Sequence, residues 1–464
     1  MATLLGAPEM RILDPADETI DEALWTSLAR LYADAYPIVK ITTAEELAAM
    51  ARRLRAQAAA GLPVVREVVA ERGGAPAGAM RLFDFTMNVR GRDAPAGGVG
   101  SVAVALTHKR QGVARALIRW YLDHYRERGA PFAILHPFRF DFYRKLGFGY
   151  GTPMHRYRFA PAALRTGAAH GRDGAGGPAP ALGAVRILGP NDLDAVLACT
   201  ERVRPHVNGL LAKQRHLIER VLGDADLRYV GIEDAGLLRA YMQTSVELDE
   251  ERRNRDTLVV RDVHAEDDTA FAALLAYLRS QQDQFHRIAI ESQDDALYLA
   301  AASDPRDGSD VAVAPPAAHR VAETGLGIMY RLLDVERAFA HLPAADAPFT
   351  LRLEIEDEFY PATNGTWTFR FGPHGAPVRE DRALPDTGAP DGARHVDGAA
   401  SGNGAEPHAT LRIGIADLSS LVVGSLDLPA LVRHRLAALE PVAMLPRVAR
   451  AFAVDQRPIC NTRF

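Results

Sequence analysis

One stretch of the sequence combines a strand, a basic loop and a glycine in the order that a phosphate site needs. It runs Val102-Ala-Val-Ala-Leu-Thr-His-Lys-Arg-Gln-Gly-Val-Ala114. A pyrophosphate requires unobstructed backbone N–H donors, a favourable helix dipole and nearby cations, and this loop offers all three. The stretch therefore predicts phosphate binding at the start of a helix, with an ordinary exposed loop as the alternative interpretation.

The elements around this loop must hold the strand and the helix in place. Apolar periodicity predicts a helix from Gln111 to Arg128, stopped by Gly129, and a short buried strand from Phe132 to Leu135. Val113, Leu117, Trp120, Tyr121 and His124 are expected on one face of that helix. Upstream, two helices and three strands are predicted at Asp21–Tyr36, Thr43–Gln57, Val64–Glu71, Ala77–Phe85 and Val99–Leu106.

This pattern resembles the GNAT acetyltransferase superfamily, in which a Val-x-Val strand is followed by Arg/Gln-x-x-Gly-x-Gly/Ala at a helix start. Gly112 and Ala114 match that motif, and Lys109 replaces its usual first residue. The resemblance implies that the backbone of Val102, Ala103 and Val104 holds the pantetheine arm of acetyl-CoA. It also implies that the pyrophosphate binds the loop formed by Lys109, Arg110, Gln111, Gly112, Val113 and Ala114.

A second resemblance to the same family lies in the aromatic stretch Phe140-Asp-Phe-Tyr-Arg-Lys-Leu-Gly-Phe-Gly-Tyr150. It is similar to the segment that places a tyrosine beside the sulfur of the cofactor. A phenol of ordinary pKa is protonated at neutral pH, so Tyr143 is expected to act as general acid toward the CoA thiolate. The alternative for Tyr143 is an aromatic side chain packed at a helix end. Tyr150 is interpreted as structural. His136 is a candidate base, but a lone histidine that ends a buried strand is more often a hydrogen-bonded core residue, so no role is assigned to it.

A second region repeats this order of elements. Strands are predicted at Leu227–Ile232, Gly236–Val246, Thr257–Val263 and Phe285–Glu291, with a helix near Thr269–Arg279. It resembles a second GNAT fold. The residues before its helix, however, are His264-Ala-Glu-Asp-Asp268, and carboxylates there repel a pyrophosphate. We therefore expect a degenerate copy that does not bind CoA.

The third region contains period-two alternation at Phe349–Ile355, Thr366–Phe371 and Ala409–Ile415, which predicts strands. With the helical stretches around them, these strands resemble a sterol-carrier-protein-2-like α+β fold. The predicted fold class is thus α/β (α+β), with two GNAT folds in tandem followed by this domain. That architecture is similar to the enhanced-intracellular-survival (Eis) acetyltransferases, and the resemblance covers essentially the whole chain.

The Eis resemblance adds three residues to the expected site. In that family the final carboxylate reaches the first active site, which implies that the C-terminal carboxylate of Phe464 acts as general base, with a frayed tail as the alternative. Asp34 lies where these proteins carry an acid that binds amine substrates, although an exposed helix-end aspartate is equally expected. Arg463 stands where the family pattern has an acid, which disfavours polycationic aminoglycosides.

Composition limits the other possibilities. The 464 residues suggest about three domains, and 54 lysines and arginines against 59 acids leave a net charge of −5. Such a balance does not favour nucleic acid or a membrane surface. The two cysteines, Cys199 and Cys460, provide neither a disulfide framework nor a cysteine metal cluster, and we expect no metal. The N-terminus lacks a secretion signal and no long apolar run occurs, so a cytoplasmic protein is expected.

Two segments rich in Gly, Ala, Pro and Asp divide the chain. Residues 160–184 are predicted to be a flexible linker, and residues 372–408 a disordered insertion in the third region. The predicted domains are therefore 1–159 (catalytic), 185–325 (degenerate) and 326–464 (sterol-carrier-like).

The predicted function is acetyl-CoA-dependent N-acetylation of a primary amine of a small molecule by direct attack. The alternatives are a protein or peptide lysine Nε-acetyltransferase, since an open cleft accepts either amine, and a non-catalytic lipid-binding or scaffold protein. The Eis resemblance also implies a homo-oligomer, a hexamer in that family.

Overall fold

The computed structural model describes residues 7–14, 16–17, 20–36, 40–61, 64–165, 183–250, 255–307, 312–314, 318–380 and 407–464. The chain forms two compact units. Unit 1 contains residues 1–137, 151–329 and 456–464, and unit 2 contains residues 138–150 and 330–455. Each unit is thus assembled from segments that are distant in sequence.

The first region of unit 1 is a sheet flanked by helices. Its elements are β1 (Glu9–Leu13), α1 (Glu22–Ala35), α2 (Ala44–Gly61), β2 (Val65–Arg72), β3 (Ala75–Val89), β4 (Arg92–Val104), α3 (Val113–Glu127) and β5 (Phe132–Leu135). Strands β1 to β4 pair antiparallel in sequence order, and β4 pairs with β5 in parallel. A parallel pair needs a crossover connection, which α3 supplies. Helix α1 begins after Asp21, whose Oδ1 accepts a hydrogen bond from Leu24 N at 2.8 Å.

The next elements are α4 (Phe140–Arg144) and β6 (Gly149–Tyr150) in unit 2, then β7 (Pro153–Phe159) in unit 1. The second region follows, with β8 (Ala184–Leu188), α5 (Leu193–Val203), α6 (Arg215–Leu222), β9 (Arg228–Asp234), β10 (Leu237–Glu247), β11 (Thr257–Ala265), α7 (Asp268–Ser280) and β12 (Arg287–Ser292). It ends with α8 (Leu297–Ala301), β13 (Ala312–Ala314), β14 (Ala318–His319) and β15 (Ala322–Leu326).

The second region repeats the topology of the first. Strands β8 to β11 pair antiparallel in sequence order, and β11 pairs with β12 in parallel after the crossover helix α7. Strands β7 and β15 extend this sheet beyond β12. The predicted repeat of the element order is confirmed, and each of the two regions contains a parallel pair, β4–β5 and β11–β12, at which two strand ends point the same way.

Unit 2 is built on a five-stranded sheet. Its remaining elements are β16 (Met329–Leu332), α9 (Val335–Phe339), β17 (Phe349–Glu356), β18 (Gly365–Phe371), β19 (Val378–Arg379), β20 (His408–Gly414), α10 (Ile415–Val423), α11 (Leu428–Arg433), β21 (Ala437–Glu440) and α12 (Leu445–Phe452). Strands β17 and β18 form the predicted antiparallel hairpin, and β20 adds to β17 in parallel. A buried ion pair joins Arg331 to Asp357 in this unit.

The buried face of α3 differs from the predicted one. Val113, Leu117 and Tyr121 are buried as expected, whereas Trp120 and His124 are only half-buried and stack on each other with ring centroids 4.9 Å apart. The core positions that the sequence interpretation missed are Ile118, Leu122 and Tyr125. The error has a steric reason, because Gly97 leaves the space that the Tyr125 ring occupies.

The predicted domain boundaries remain predictions. Residues 166–182 of the expected linker and residues 381–406 of the expected insertion lie outside the described residues. At their edges, residues 161–163 form a short 3₁₀ turn and Leu164 is buried. No helix among the described residues has the length and apolar character needed to cross a membrane.

Candidate active site

Strand β4 carries a bulge that leaves part of its backbone without a neighbouring strand. Its register on β3 shifts between the pairs Ala79/Ala103 and Arg81/Gly100, and Ser101 between them has a φ of 50°. The pairing with β5 ends at Val99. Among the described strands, the last five residues of β4 are therefore paired on one side only, which leaves backbone donors and acceptors for an extended ligand.

The side chain of Tyr36 is hydrogen-bonded to the bulge. Its hydroxyl donates to the carbonyl of Val102 at 3.0 Å. Burial raises the pKa of Tyr36 to about 12, so the phenol stays protonated and remains a donor at neutral pH. The geometry of β4 at this point is thus fixed by a side chain from the end of α1.

The loop between β4 and α3 has the conformation expected of an anion site. Arg110 has a φ of 62° and Gly112, the residue before α3, has a φ of 82°. No side chain caps this helix, so the first amides of α3 keep their donors. The side chains of Lys109 and Arg110 are exposed beside them. The six predicted loop residues therefore form one cradle, with the uncapped N–H groups at the start of α3 and two cations, although the N–H of Gln111 already donates to the carbonyl of His108.

A side chain from β2 fastens this cradle. Arg72 donates through its two terminal nitrogens to the carbonyl and to Oε1 of Gln111, both at 3.2 Å. The amide of Gln111 donates in turn to the carbonyl of Thr107 at 2.9 Å. The Gln111 side chain therefore points back along the loop toward Thr107.

Phe464 lies against the open end of β4. Its ring packs on Phe83, Phe85 and His136, with centroid distances of 5.2, 4.9 and 5.0 Å. A β-carbon added to Gly100 would lie 3.5 Å from the carboxyl carbon of Phe464. The structure therefore brings the predicted base and the predicted pantetheine strand together.

His136 contacts this terminal segment. Its Nε2 lies 3.1 Å from the carbonyl oxygen of Thr462, which only accepts, so Nε2 carries the proton. Desolvation lowers the pKa of His136, and the hydrogen bond to Thr462 opposes that shift. His136 is thus hydrogen-bonded, and its partner comes from the far end of the chain.

A cleft of about 670 Å³ opens beside Phe464 and His136. Its charged lining residues are Arg156, Glu291, Glu323 and Arg463. Arg463 pairs with Glu291 at 2.7 Å, and Arg261 pairs with the same carboxylate at 2.9 Å. Glu291 is thus already paired with two arginines, and Glu323, the other acid of the lining, pairs with Arg158 at 3.4 Å.

The other two predicted site residues lie elsewhere. Asp34 is exposed in the last turn of α1, and its side chain makes no hydrogen bond or ion pair with any described residue. Tyr143 belongs to unit 2 and is 3% exposed in α4. Its ring packs on Phe138, Phe142 and Phe148 at 5.8, 5.1 and 5.8 Å.

The segment that carries Tyr143 is fixed within unit 2 by α10. Arg144 pairs with Asp417 at 3.0 Å, and the carbonyl of Tyr150 accepts hydrogen bonds from Ser420 and Ser425 at 2.9 and 2.6 Å. Gly149 permits this approach, since a β-carbon there would lie 2.0 Å from a carbonyl of α10. The position of the tyrosine therefore depends on the third region of the sequence.

The second region lacks the free cradle of the first. The carboxylate of Asp267 caps α7 by accepting from Ala270 N at 2.8 Å. Glu266 pairs with Arg202 and Arg239 at 2.6 and 2.7 Å. The helix N-terminus is thus already satisfied by acids of the chain itself.

Matches to known protein families agree with this arrangement. Residues 18–151 and residues 209–331 each match an acetyltransferase (GNAT) domain, and residues 335–461 match a sterol carrier protein domain. The chain is a GNAT-family N-acetyltransferase. The predicted fold class, with two GNAT folds in tandem before a sterol-carrier domain, is confirmed. The two regions of unit 1 are hereafter the first and second acetyltransferase domains.

Relatives and solved structures extend this result. An uncharacterized N-acetyltransferase of Streptomyces avermitilis is 29% identical over 306 residues, which cover 64% of this chain and 70% of the relative. A GCN5-related N-acetyltransferase from Kribbella flavida superposes with a TM-score of 0.68 at 23% identity, over 99% of both chains. Eis1 from Mycobacterium abscessus superposes with a TM-score of 0.71 at 20% identity, over 98% of this chain and 100% of the Eis1 chain. At such identities the structures show a shared fold.

Three features that shape this site have no local signal in the sequence. Tyr36 ends a helix with no motif around it, and the residue type of Ser101 does not predict its left-handed backbone. Arg72 ends a strand and carries no motif. The signals that position the site therefore lie in tertiary contacts, which spacing along the chain does not encode.

Proposed function

We propose that the chain transfers an acetyl group from acetyl-CoA to a primary amine of a small molecule, at one site in the first acetyltransferase domain. The observation that carries the proposal is the uncapped, left-handed loop before α3, which directly follows a strand with a free edge. We also propose that the enzyme is Eis-like, and the order of its three matched domains supports this.

The chain offers a fitting partner for each part of acetyl-CoA. The free edge formed by Val102, Ala103 and Val104 suits the amides of the pantetheine arm, which would add to β4 as an extended segment. The N–H groups of the loop from Lys109 to Ala114 suit the pyrophosphate, and Arg110 adds a charge-assisted contact. Lys109, which departs from the family motif, supplies a point charge here.

Two groups of the chain move protons in the proposed reaction. Acetyl-CoA supplies an activated thioester; transfer breaks its C–S bond, forms a C–N bond and leaves an N-acetyl amine and CoA. The carboxylate of Phe464 accepts a proton from the incoming ammonium, directly or through water, and so frees the attacking lone pair. Tyr143 donates a proton to the CoA thiolate as the C–S bond breaks, and the second proton lost by the nitrogen restores the Tyr143 hydroxyl.

The charges near Phe464 favour an acceptor with few positive charges. Arg463 places a guanidinium beside the cleft and neutralises Glu291, so a polycationic aminoglycoside meets repulsion there. Asp34 remains an unpaired carboxylate among the described residues and is the proposed contact for a cationic part of the acceptor. As in the Eis family, we also propose a hexamer, which light scattering after size-exclusion chromatography tests.

A thiol-release assay with acetyl-CoA tests the activity against small monoamines, aminoglycosides, polyamines and lysine peptides. We expect CoA release with small monoamines above that with the polycationic polyamines and aminoglycosides, because Arg463 repels several positive charges. Release with lysine peptides alone would replace the proposal by protein lysine acetylation. No release with any amine would favour a lipid-binding or scaffold protein.

A glycine pair tests the cofactor site itself. Gly112→Glu puts a side chain and a negative charge into the cradle, and acetyl-CoA binding should be lost. Gly91→Glu is the matched control, since Gly91 has a φ of 80° and Gly112 one of 82°, and a β-carbon at either position has nothing within 4 Å. Gly91 lies in the β3–β4 turn, so its variant should keep the affinity of the unchanged protein. Equal affinities of the two variants for acetyl-CoA would overturn the assignment of the loop.

A further inference from the structure

The last nine residues of the chain, Gln456–Phe464, run along the second acetyltransferase domain before Phe464 reaches the first; we refer to them as the tail. Asn208 binds the tail twice, through Nδ2 to the carbonyl of Gln456 at 3.3 Å and through its carbonyl to Ile459 N at 2.7 Å. The Oε1 atom of Gln293 accepts from Cys460 N at 2.6 Å. These contacts hold the tail backbone at three successive points.

The tail passes through the place where the second domain would hold a cofactor. Strand pairing between β11 and β12 ends at Val260/Ile290, as pairing between β4 and β5 ends at Val99/Leu135. Two residues beyond, Asp262 has a φ of 50°, the value found at Ser101. A cleft of about 360 Å³ at this opening is lined by residues of β11, β12 and α7, and by Gln456, Ile459 and Asn461 of the tail.

A buried cluster of charges lies next to the end of the tail. Lys213 Nζ is 2.6 Å from Asp262 Oδ1, and His264 Nε2 is 2.9 Å from the same oxygen. The Lys213 and His264 side chains are 5% and 1% exposed. Lys213 Nζ also lies 3.5 Å from the hydroxyl of Thr462, two residues before the terminal carboxyl. Buried ion pairs add little net stability, but they fix geometry, and this one adjoins the tail.

Residues at equivalent positions of the two domains bind the tail. The strand registers make Leu135 and Ile290 equivalent, so the residues that follow them, His136 and Glu291, are equivalent too. His136 binds the carbonyl of Thr462, and Glu291 pairs with Arg463. The tail is therefore held between two matching strand ends.

We propose that the second acetyltransferase domain has exchanged cofactor binding for binding of the tail, and that its cleft positions the carboxylate of Phe464. Gly209, Gln293 and Lys213 are positioning residues in this proposal. Its catalytic consequence rests on the proposed function, because it assumes that the carboxylate accepts a proton in the first domain. The seating of the tail does not depend on that assumption.

A pair of glycines separates tail binding from general stability. Gly209 has a φ of 83°, and a β-carbon there would lie 2.6 Å from Pro458 Cβ and 2.9 Å from Ile459 N. Gly236 has a φ of 79° in the same domain, and a β-carbon there meets nothing within 4 Å. The variants Gly209→Ala and Gly236→Ala thus carry the same backbone strain, and only the first displaces the tail.

Hydrogen-deuterium exchange of the full chain measures the seating of the tail directly. In Gly209→Ala we expect exchange of the tail amides to rise at least about tenfold, while Gly236→Ala leaves it unchanged. Turnover in Gly209→Ala should fall at least about tenfold with an unchanged KM for acetyl-CoA, because the cofactor site is not touched. Gln293→Ala, which adds no strain, should loosen the tail in the same sense.

The outcomes discriminate between the two proposals. A tail that stays protected in both Gly209→Ala and Gln293→Ala, or that loosens equally in Gly236→Ala, would overturn the role of the second domain. A loosened tail with unchanged turnover would keep the binding cleft and remove the Phe464 carboxylate from the reaction. If the tail loosens and turnover falls in Gly209→Ala but not in Gly236→Ala, the result supports both tail binding by the second domain and the role of the Phe464 carboxylate.

Discussion

The packing of the Phe464 ring positions the terminal carboxyl of the same residue. Phe83 and Phe85 stack on each other at 5.8 Å, and both contact the Phe464 ring. Because aromatic contacts of this kind are directional, the ring fixes where the charged group lies relative to Gly100. A proton acceptor on a flexible terminus would lose turnover through poor orientation, and this packing removes that freedom.

Lengthening the chain by three residues after Phe464 tests this base. The carboxylate would move by about 3.3 Å per added residue, and turnover should fall at least about 100-fold while acetyl-CoA binding persists. The same three residues placed before Met1 serve as the control and should leave turnover unchanged. A fully active protein with the C-terminal extension would exclude the carboxylate from the reaction.

Tyr143→Phe removes the proposed acid while keeping the ring that packs on Phe138, Phe142 and Phe148. Turnover should fall at least about 100-fold with little change in the Kd for acetyl-CoA, because only the donor hydroxyl is lost. Tyr150→Phe is the control, since the Tyr150 hydroxyl has no proposed role. The Arg144 Cζ atom lies 4.9 Å from the centroid of the Tyr150 ring. Steady-state kinetics and a binding titration decide the matter; a Tyr143→Phe enzyme of normal turnover would need another acid.

Among the elements, β2 supports the proposed cofactor site through Arg72, its last residue. Arg72→Met removes both hydrogen bonds to Gln111, and the loop before α3 should lose part of its preorganisation. For exposed hydrogen bonds worth about 1 kcal/mol, we expect the Kd for acetyl-CoA to rise about fivefold with kcat nearly constant. Arg53→Met, an exposed arginine on α2, should leave the Kd unchanged in the same titration. An equal Kd for both variants would show that the loop needs no support from β2.

The secondary-structure elements were largely predictable, because alternation and helical periodicity report local burial. The strand Phe132–Leu135 is observed at its predicted bounds, and α1, α2 and α3 differ from prediction by a few residues at their ends. The bulges at Ser101 and Asp262 were not predictable, since serine and aspartate do not demand a positive φ. Those backbone angles are imposed by the sheet and by partners such as Tyr36 and Lys213, which come from elsewhere in the chain.

At the scale of the whole molecule, the site depends on contacts between distant parts of the sequence. The motif from Val102 to Ala114 predicted a basic loop before α3, and the acids before α7 indicated a different helix start in the second domain; their roles toward acetyl-CoA remain predictions. The path of the tail was expected only through a family resemblance. Its anchors, Asn208, Gln293 and Lys213, have no local pattern, because each binds the tail across at least 167 residues of sequence.

These contacts predict one acetyl-CoA per chain, although the chain has two acetyltransferase domains. In the second domain Asp267 caps α7, Glu266 is held by two arginines, and the tail lines the equivalent cleft. A pyrophosphate there would meet carboxylates where the first domain presents Lys109 and Arg110, and repulsion replaces attraction. Calorimetric titration of the unchanged protein should give a stoichiometry of about one, and Gly112→Glu should give no measurable binding, since the remaining cleft is closed to phosphate. Two equivalents per chain, or one equivalent retained in Gly112→Glu, would mean that the second domain still binds the cofactor and that the tail does not replace it.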